Sequence, residues 1–243
     1  MKRIEIMGCP MDVATIAETV DAIDQAVSKN QFTQHVVVNV AKLVNMQKDQ
    51  VLNSSVRECD IINIDGMGVV LGARFLGHKI PERVAGIDLF HELVSMSAKK
   101  GYPIYLLGSK DEVVNNTTTK LKILYPKIKI AGFHHGYFWE DEDAMVKKIH
   151  ASGAKLLFVA ITSPKKENFI NRWKQELGVT FVMGVGGTFD VVSGKVKRAP
   201  LWMQKYGLEW FYRVMQEPQR MWKRYLITNI KFIWLLFKHK IRS

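Results

Sequence analysis

A chain of 243 residues, 47% hydrophobic and 24% charged, is long enough to bury a full core and suits one α/β domain with, at most, a small appendage. Met1-Lys2-Arg3 runs into the alternating RIEIMG with no apolar stretch of signal-peptide type. Cys9 and Cys59 lack C-x-x-C spacing, which excludes a disulfide scaffold and argues for reduced core thiols with no zinc site. The net charge of +12 is unevenly placed: of 35 Lys/Arg, twelve fall between residues 195 and 243 against two Glu, leaving 23 basic and 21 acidic side chains on the first 194 residues.

Apolar runs alternate with helical patterns along that nearly neutral body. HVVVNV (35–40) precedes a helical AKLVNMQKDQVLN, and CDIINID (59–65) runs into GMGVVLGARFLG. PIYLLGS (103–109) precedes KDEVVNNTTTKLKILYP, which Pro126 stops, and KIAGFHHG (129–136) precedes EDEDAMVKKIHASG. KLLFVAIT (155–162) precedes SPKKENFINRWKQELG, and TFVMGVGG (180–187) follows. Continuous apolar strands are buried on both faces, so the pattern predicts a Rossmann-like α/β fold: a mostly parallel central sheet flanked by helices, with a basic helical C-terminal appendage. In such a sheet ligands bind beyond the carboxyl ends of the strands. Here those ends are Asn39, Asp65-Gly66, Gly108-Ser109, His134-His135-Gly136, Thr162-Ser163 and Gly184 to Thr188, which together form the expected rim of the active site.

The individual motifs carry different weight. GVGGTFD brings backbone N–H groups to a helix start and favours an anion, with the basic Lys195, Lys197 and Arg198 close behind; a tight structural turn is the competing reading. It is not G-x-G-x-x-G, and no acidic residue stands in a ribose-binding context. Asp65 ends an apolar strand; position alone favours an N-cap of the next helix over a general base at the rim. Asp141-x-Asp143 matches a metal-holding pattern but sits at a predicted helix start, where acidic residues suit the macrodipole. His134 and His135 read equally as substrate contacts or as structural histidines. Lys165 and Lys166, near the helix start that Pro164 opens, would serve a diphosphate or simply cap a surface helix.

The tail from Glu209 combines aromatic and aliphatic residues with basic ones at helical spacing. Its longest apolar run, YLITNIKFIWLLF, is thirteen residues and includes Lys231, too short and too polar to cross a bilayer. It fits a helix lying in the interface beside anionic headgroups. Trp234, Leu235, Leu236 and Phe237 in succession suit lipid better than nucleic acid, which would also use Lys/Arg with aromatics.

Taken in order, NVAKLV, NIDGMGVV, PERVAGIDLF, IYLLGS, YP followed by HHGYF, SPKKENFI, MGVGGTFDVVSGKVKRAP and GLEWFYR resemble the WecG/TagA/CpsF glycosyltransferases (family 26) over essentially the whole chain. The resemblance implies an inverting, metal-independent transfer, with no cofactor, from a UDP-sugar to a sugar carried on a polyprenyl diphosphate. The product would be an early disaccharide-lipid for teichoic acid, common antigen, capsule or exopolysaccharide. It also implies a catalytic core over 1–195 and an appendage over 196–243 that meets the inner face of the cytoplasmic membrane and completes the site, with no nucleic-acid partner.

Carried over by motif, Asp65 is the general base. Asn39 and Arg83 stand around the donor and acceptor pocket, and Lys166 lies at the donor. Gly184, Gly186, Gly187, Thr188 and Asp190 frame the uridine diphosphate. Arg213 closes over the pocket, while Arg220, Lys223 and Arg224 meet the lipid diphosphate or the membrane. Without a metal, positive charge on the departing diphosphate must come from Arg, Lys and helix N-termini. The chain departs from the family at Lys166, where Gln is common, and at Ala41, where an acidic residue is frequent. It also lacks the Thr-Pro that commonly precedes the position of Asn39. These departures argue against carrying N-acetylmannosamine over as donor and leave glucose, mannose and an aminouronic acid open. Other readings of the residues are a nucleotide-binding α/β enzyme of another type, such as an oxidoreductase, or a non-catalytic membrane or nucleic-acid adaptor. A core face left open until the appendage docks would make a homo-oligomer reasonable.

Overall fold

A computed structural model describes residues 1–242, apart from the side chains of Arg220, Arg224 and Arg242. The chain opens with a hairpin, β1 (Lys2–Ile6) and β2 (Cys9–Val13), followed by α1 (Ile16–Ser28). Then come β3 (Thr33–Val38), α2 (Val40–Met46), α3 (Gln50–Arg57), β4 (Ile61–Ile64), α4 (Met67–Phe75) and α5 (Gly86–Lys100). The second half carries β5 (Ile104–Gly108), α6 (Asp111–Leu124), β6 (Ile130–His134), α7 (Glu142–Ala151), β7 (Leu156–Ala160), α8 (Lys165–Trp173), β8 (Phe181–Gly184) and α9 (Thr188–Val192). Three helices close the chain: α10 (Leu201–Lys205), α11 (Glu209–Gln216) and α12 (Pro218–Arg242).

Among the described residues, eight strands form one sheet in the order β1-β2-β4-β3-β8-β7-β5-β6, antiparallel only at the β1–β2 hairpin. Burial on both faces follows from the period of two along a strand. In β7, Leu156 and Phe158 join one hydrophobic cluster with residues of α1, α5, α6 and α9, while Leu157 and Val159 join another with residues of α7 and α8. β6 departs from the expectation of a strand buried on both faces. It is the sheet edge, where half-buried residues alternate with the exposed Ala131 and Phe133, because no strand pairs beyond it.

Over the β1–β4 half, α2, α3 and α4 cover the sheet, and α12 lies across them. Phe232 and Leu236 of α12 complete the cluster that includes Val69, Val70, Ala73 and Ile80. A Cβ at Gly72 would lie 2.7 Å from Phe232 Cζ, so the crossing of α12 over α4 needs a residue without one at that point.

A polar network sits inside the sheet. His35 Nε2 lies 2.8 Å from Asn63 Oδ1, and Asn63 Nδ2 donates to Thr19 Oγ1 at 3.2 Å. Burial holds the His35 ring neutral, lowering its pKa from 6.5 to about 4 despite the Asn63 contact. The unfolded chain binds this proton more tightly, so stability is fully present above pH 6.5 and is lost as pH falls toward 4. The full loss corresponds to about 3 kcal/mol at ~1.36 kcal/mol per pKa unit. Urea unfolding of His35→Gln between those pH values is expected to show a flatter acid slope than the unsubstituted chain.

Candidate active site

The carboxyl ends of β3 and β4 are laced together. The Asp65 N–H donates to Val38 O at 2.9 Å, and the Val84 N–H donates to Ile64 O at 3.0 Å, returning the segment after α4 to the end of β4. That return brings Arg83 close to the partly buried Asp65. Asn39 is adjacent, since a Cβ at Gly66 would lie 3.8 Å from its Cβ. The Asn39 carboxamide oxygen accepts from the Lys42 N–H at 3.0 Å and so starts α2.

Asp65 is not the N-cap that its position suggested. Gly66, at φ +92°, occupies the cap of α4, with no side-chain hydrogen bond there. Burial pushes the Asp65 carboxyl above the usual range, and Glu209 adds to the rise. Arg83, Arg213 and the Gly86 N–H at the start of α5 oppose it. A carboxylate with a raised pKa at the rim, flanked by arginines, has the properties of a positioned proton acceptor.

The C-terminal helices reach this point through charge and shape. Glu209, at the start of α11, pairs with Arg83. Arg198 forks onto Asp88 of α5 at 2.6 and 2.8 Å, and its Nε stands 3.5 Å from Glu209 Oε1. Asp88, Arg198, Glu209 and Arg83 thus form an alternating chain of charge from the core into α11 and back to Asp65. Arg213 is exposed at the end of that chain. Gly207, at φ +73°, lies so close to α4 that a Cβ would be 2.5 Å from Met67 Cβ; only glycine meets both conditions.

A second group gathers at the ends of β5, β7 and β8. Gly108, at φ +124°, would drive a Cβ to 2.4 Å from Ala160 O, and this closeness lets the Ser109 N–H donate to the same carbonyl at 2.9 Å. Ser109 Oγ lies 3.5 Å from Asp190 Oδ1, with Lys195 Nζ 3.4 Å from the same oxygen. The Thr188 hydroxyl donates to Val185 O at 2.8 Å and so closes the turn that contains Gly186 and Gly187. His134 Nδ1 stands 3.0 Å from His135 O, and the Tyr137 N–H donates to His135 Nδ1 at 3.2 Å.

Lys166 runs beneath the end of β8: a Cβ at Gly184 would lie 2.8 Å from its Cε. Its buried ammonium meets Glu167 Oε1 at 2.7 Å, and Lys42 Nζ meets the same oxygen at 2.8 Å. Burial alone would raise the Glu167 carboxyl, but the two ammonium groups hold it well below the carboxylate range. Lys165 lies with Nζ 5.0 Å from the centre of the Trp139 ring.

Asp141 caps α7 by accepting from the Ala144 N–H at 2.9 Å, and Asp143 pairs with Lys147 at 2.5 Å. Among the described residues, no group of three His, Cys, Asp or Glu side chains is placed to hold a metal ion. Lys223 is exposed on α12, whereas the Arg220 and Arg224 side chains lie outside the described residues. The structure therefore gathers Asn39, Asp65, Arg83 and Arg213 at one end of the rim. Gly184, Gly186, Gly187, Thr188 and Asp190 stand with Ser109 at the other, and Lys166 lies below it. Sequence reasoning placed Arg198 in the basic run that would meet an anion behind the GVGGTFD turn, whereas the structure binds it to Asp88 and Glu209; Asp88 and Glu209 were not singled out, although they fall within PERVAGIDLF and GLEWFYR.

This arrangement defines an α/β enzyme whose ionisable rim lies at the carboxyl ends of parallel strands and whose last helices contribute to it. Residues 4–243 match the Glycosyl transferase WecG/TagA/CpsF family, and the chain belongs to that family. A Bacillus subtilis (strain 168) relative, N-acetylglucosaminyldiphosphoundecaprenol N-acetyl-beta-D-mannosaminyltransferase, is 38% identical over 204 residues, which cover 84% of this chain and 77% of the relative. The protein is a glycosyltransferase, as the ordered motifs implied.

Proposed function

We propose that this glycosyltransferase moves a hexose-type sugar from a UDP-sugar to a sugar carried on a polyprenyl diphosphate, in the assembly of a bacterial cell-surface polysaccharide. The placement of Asp65 carries this reading: a partly buried carboxylate with a raised pKa, beside Arg83 and under the influence of Glu209 and Arg213. The relative's name supports the lipid-linked acceptor.

The step is a single displacement with inversion. The acceptor hydroxyl oxygen attacks the anomeric carbon of the donor while its proton passes to Asp65. The bond from that carbon to the β-phosphate oxygen breaks, and UDP departs with the electron pair. Arg83 and Arg213 meet the negative charge that develops on the diphosphate, and Asn39 orients a sugar hydroxyl. The turn with Gly184, Gly186, Gly187 and Thr188 approaches the nucleotide through its backbone, and Asp190 with Ser109 offers polar contacts. Asp141 and Asp143 are engaged in a helix cap and an ion pair, which supports a metal-independent reaction. The core is read as 1–195 and the appendage as 196–243. The appendage would hold the enzyme peripherally on the inner face of the membrane; no described helix is long and apolar enough to cross one.

Lys166 does not by itself argue for an altered donor, because its ammonium is bound to Glu167. UDP-N-acetylmannosamine, whose sugar is in the relative's name, therefore joins the donor panel beside the UDP forms of glucose, mannose and an aminouronic acid. With a short-chain polyprenyl-diphosphate-N-acetylglucosamine acceptor, one donor of the panel is expected to give product, and excess EDTA should leave the rate unchanged. Loss of activity in EDTA that Mn²⁺ restores would return Asp141 and Asp143 to a metal role. Normal folding without UDP binding would remove the reading.

A further inference from the structure

Helix α12 has more than one apolar side. Met221, Phe232 and Leu236 face the body and are buried. A second stripe, Trp222, Leu226, Ile230, Ile233 and Phe237, recurs at intervals of three or four residues and is exposed. Helix α4, inside the catalytic core, continues that stripe. Phe75 meets Phe237 edge-to-face with ring centres 5.5 Å apart, and Lys240 Nζ lies 6.0 Å from the Phe75 ring centre. Leu71 and Phe75 are 58% and 46% exposed, unusual for large apolar residues of a core helix. At the far end of α4, Arg74, His78 and Lys79 line a cavity of about 470 Å³.

We propose that α4 and α12 form one composite docking surface for an anionic lipid leaflet. Leu71 and Phe75 enter the interface beside the apolar stripe of α12, and the cationic cavity at the end of α4 faces lipid phosphates. This deepens the proposed function by making the core itself, and not the appendage alone, a membrane-contacting element.

Charge selects the occupant. Residues 218–242 contain seven Lys/Arg and no Asp or Glu, so a second copy on this face would bring like charges together, whereas an anionic leaflet complements them. Trp222 and Trp234 are exposed and suit headgroup depth. Over the eight steps from Met67 to Phe75, α4 rises about 12 Å. Asp65, two residues before α4, is thereby held at a fixed short reach from the lipid-facing end of the same helix. An acceptor sugar on a membrane-borne diphosphate requires such a reach.

Full-length protein is spun with vesicles of phosphatidylcholine, with and without phosphatidylglycerol. Wild type should bind the anionic vesicles, and the double variant Leu71→Ser/Phe75→Ser should bind them about tenfold more weakly. Lys79→Gln should weaken binding to the anionic vesicles and reduce its salt dependence. The double variant should keep wild-type transfer to a short-chain, water-soluble acceptor, which also reports its fold, and lose transfer to acceptor embedded in vesicles. Vesicle binding by the double variant equal to wild type would overturn the proposal. So would a change in oligomeric state in the absence of vesicles with vesicle binding intact, because the face would then be an interface between copies. A wild type that binds vesicles but transfers nothing would count against the proposed reaction and leave the docking surface standing.

Discussion

A chain ending after residue 195 is expected to fold but to transfer sugar at least about 10²-fold more slowly than the full chain, the loss that a misplaced reacting geometry can produce. Such a chain lacks Glu209 and Arg198, which anchor Arg83 and Asp88, and Arg213, which acts on Asp65. It also lacks Phe232 and Leu236, whose burial completes a cluster of the core. Each such side chain contributes about 1.5–3 kcal/mol on burial, so docking of the appendage is worth several kcal/mol and its loss uncovers an apolar face. Sedimentation of the shortened chain should therefore show self-association, and a transfer assay with a water-soluble acceptor should show little product. A monomeric, fully active 1–195 chain would contradict this role for the appendage.

Asp65→Asn is expected to stabilise the fold while removing the chemistry. Burial raises the folded-state pKa of Asp65 above its unfolded value. Its contribution to stability is therefore fully present below the unfolded pKa and is lost as pH rises through the folded one, so a carboxyl at this position weakens the fold at neutral pH. An amide of the same shape relieves that cost, and thermal unfolding at neutral pH should move to higher temperature. The transfer rate should fall by about 10²–10⁴-fold, the range for a positioned proton acceptor. In the unsubstituted enzyme, kcat/KM should rise with pH along an acid limb above the ordinary carboxylate range, and Asn should abolish that limb. A destabilised Asp65→Asn with unchanged turnover would show a purely structural carboxylate.

Six of the eight strands were legible, five of them because parallel strands buried on both faces read as unbroken apolar runs, and the edge strand β6 from KIAGFHHG despite its exposed positions. KLLFVAIT contains β7 in full, and HVVVNV contains all of β3 but its first two residues, Thr33 and Gln34. The rim followed from the ends of those runs. What escaped was set by other forces. CPMDV does not read as a strand; Asp12 holds β2 in place by accepting two hydrogen bonds from Arg3 at 2.8 Å and the Ile62 N–H at 2.8 Å. Helix α1 did carry a local signal, the Thr15-x-x-Glu18 capping box. The charge chain carried none, because Arg83 and Glu209 are 126 residues apart and Arg198 and Asp88 are 110 apart. Lys166 was legible as a departure from the family pattern but not as a partner of Glu167, since Lys42 on another helix completes that cluster. For Asp65, position alone favoured a helix cap, because a carboxylate ahead of a helix usually is one; the motif pointed instead to a base, and here Gly66 takes the cap.

The most direct test of the central claim is the initial rate of sugar transfer by wild type and Asp65→Asn at saturating donor and acceptor, with UDP affinity measured on the same samples. The expected result is wild-type UDP binding by both proteins and product from wild type alone. Turnover by Asp65→Asn within about tenfold of wild type would contradict Asp65 as the base, since removing a positioned proton acceptor costs more than that.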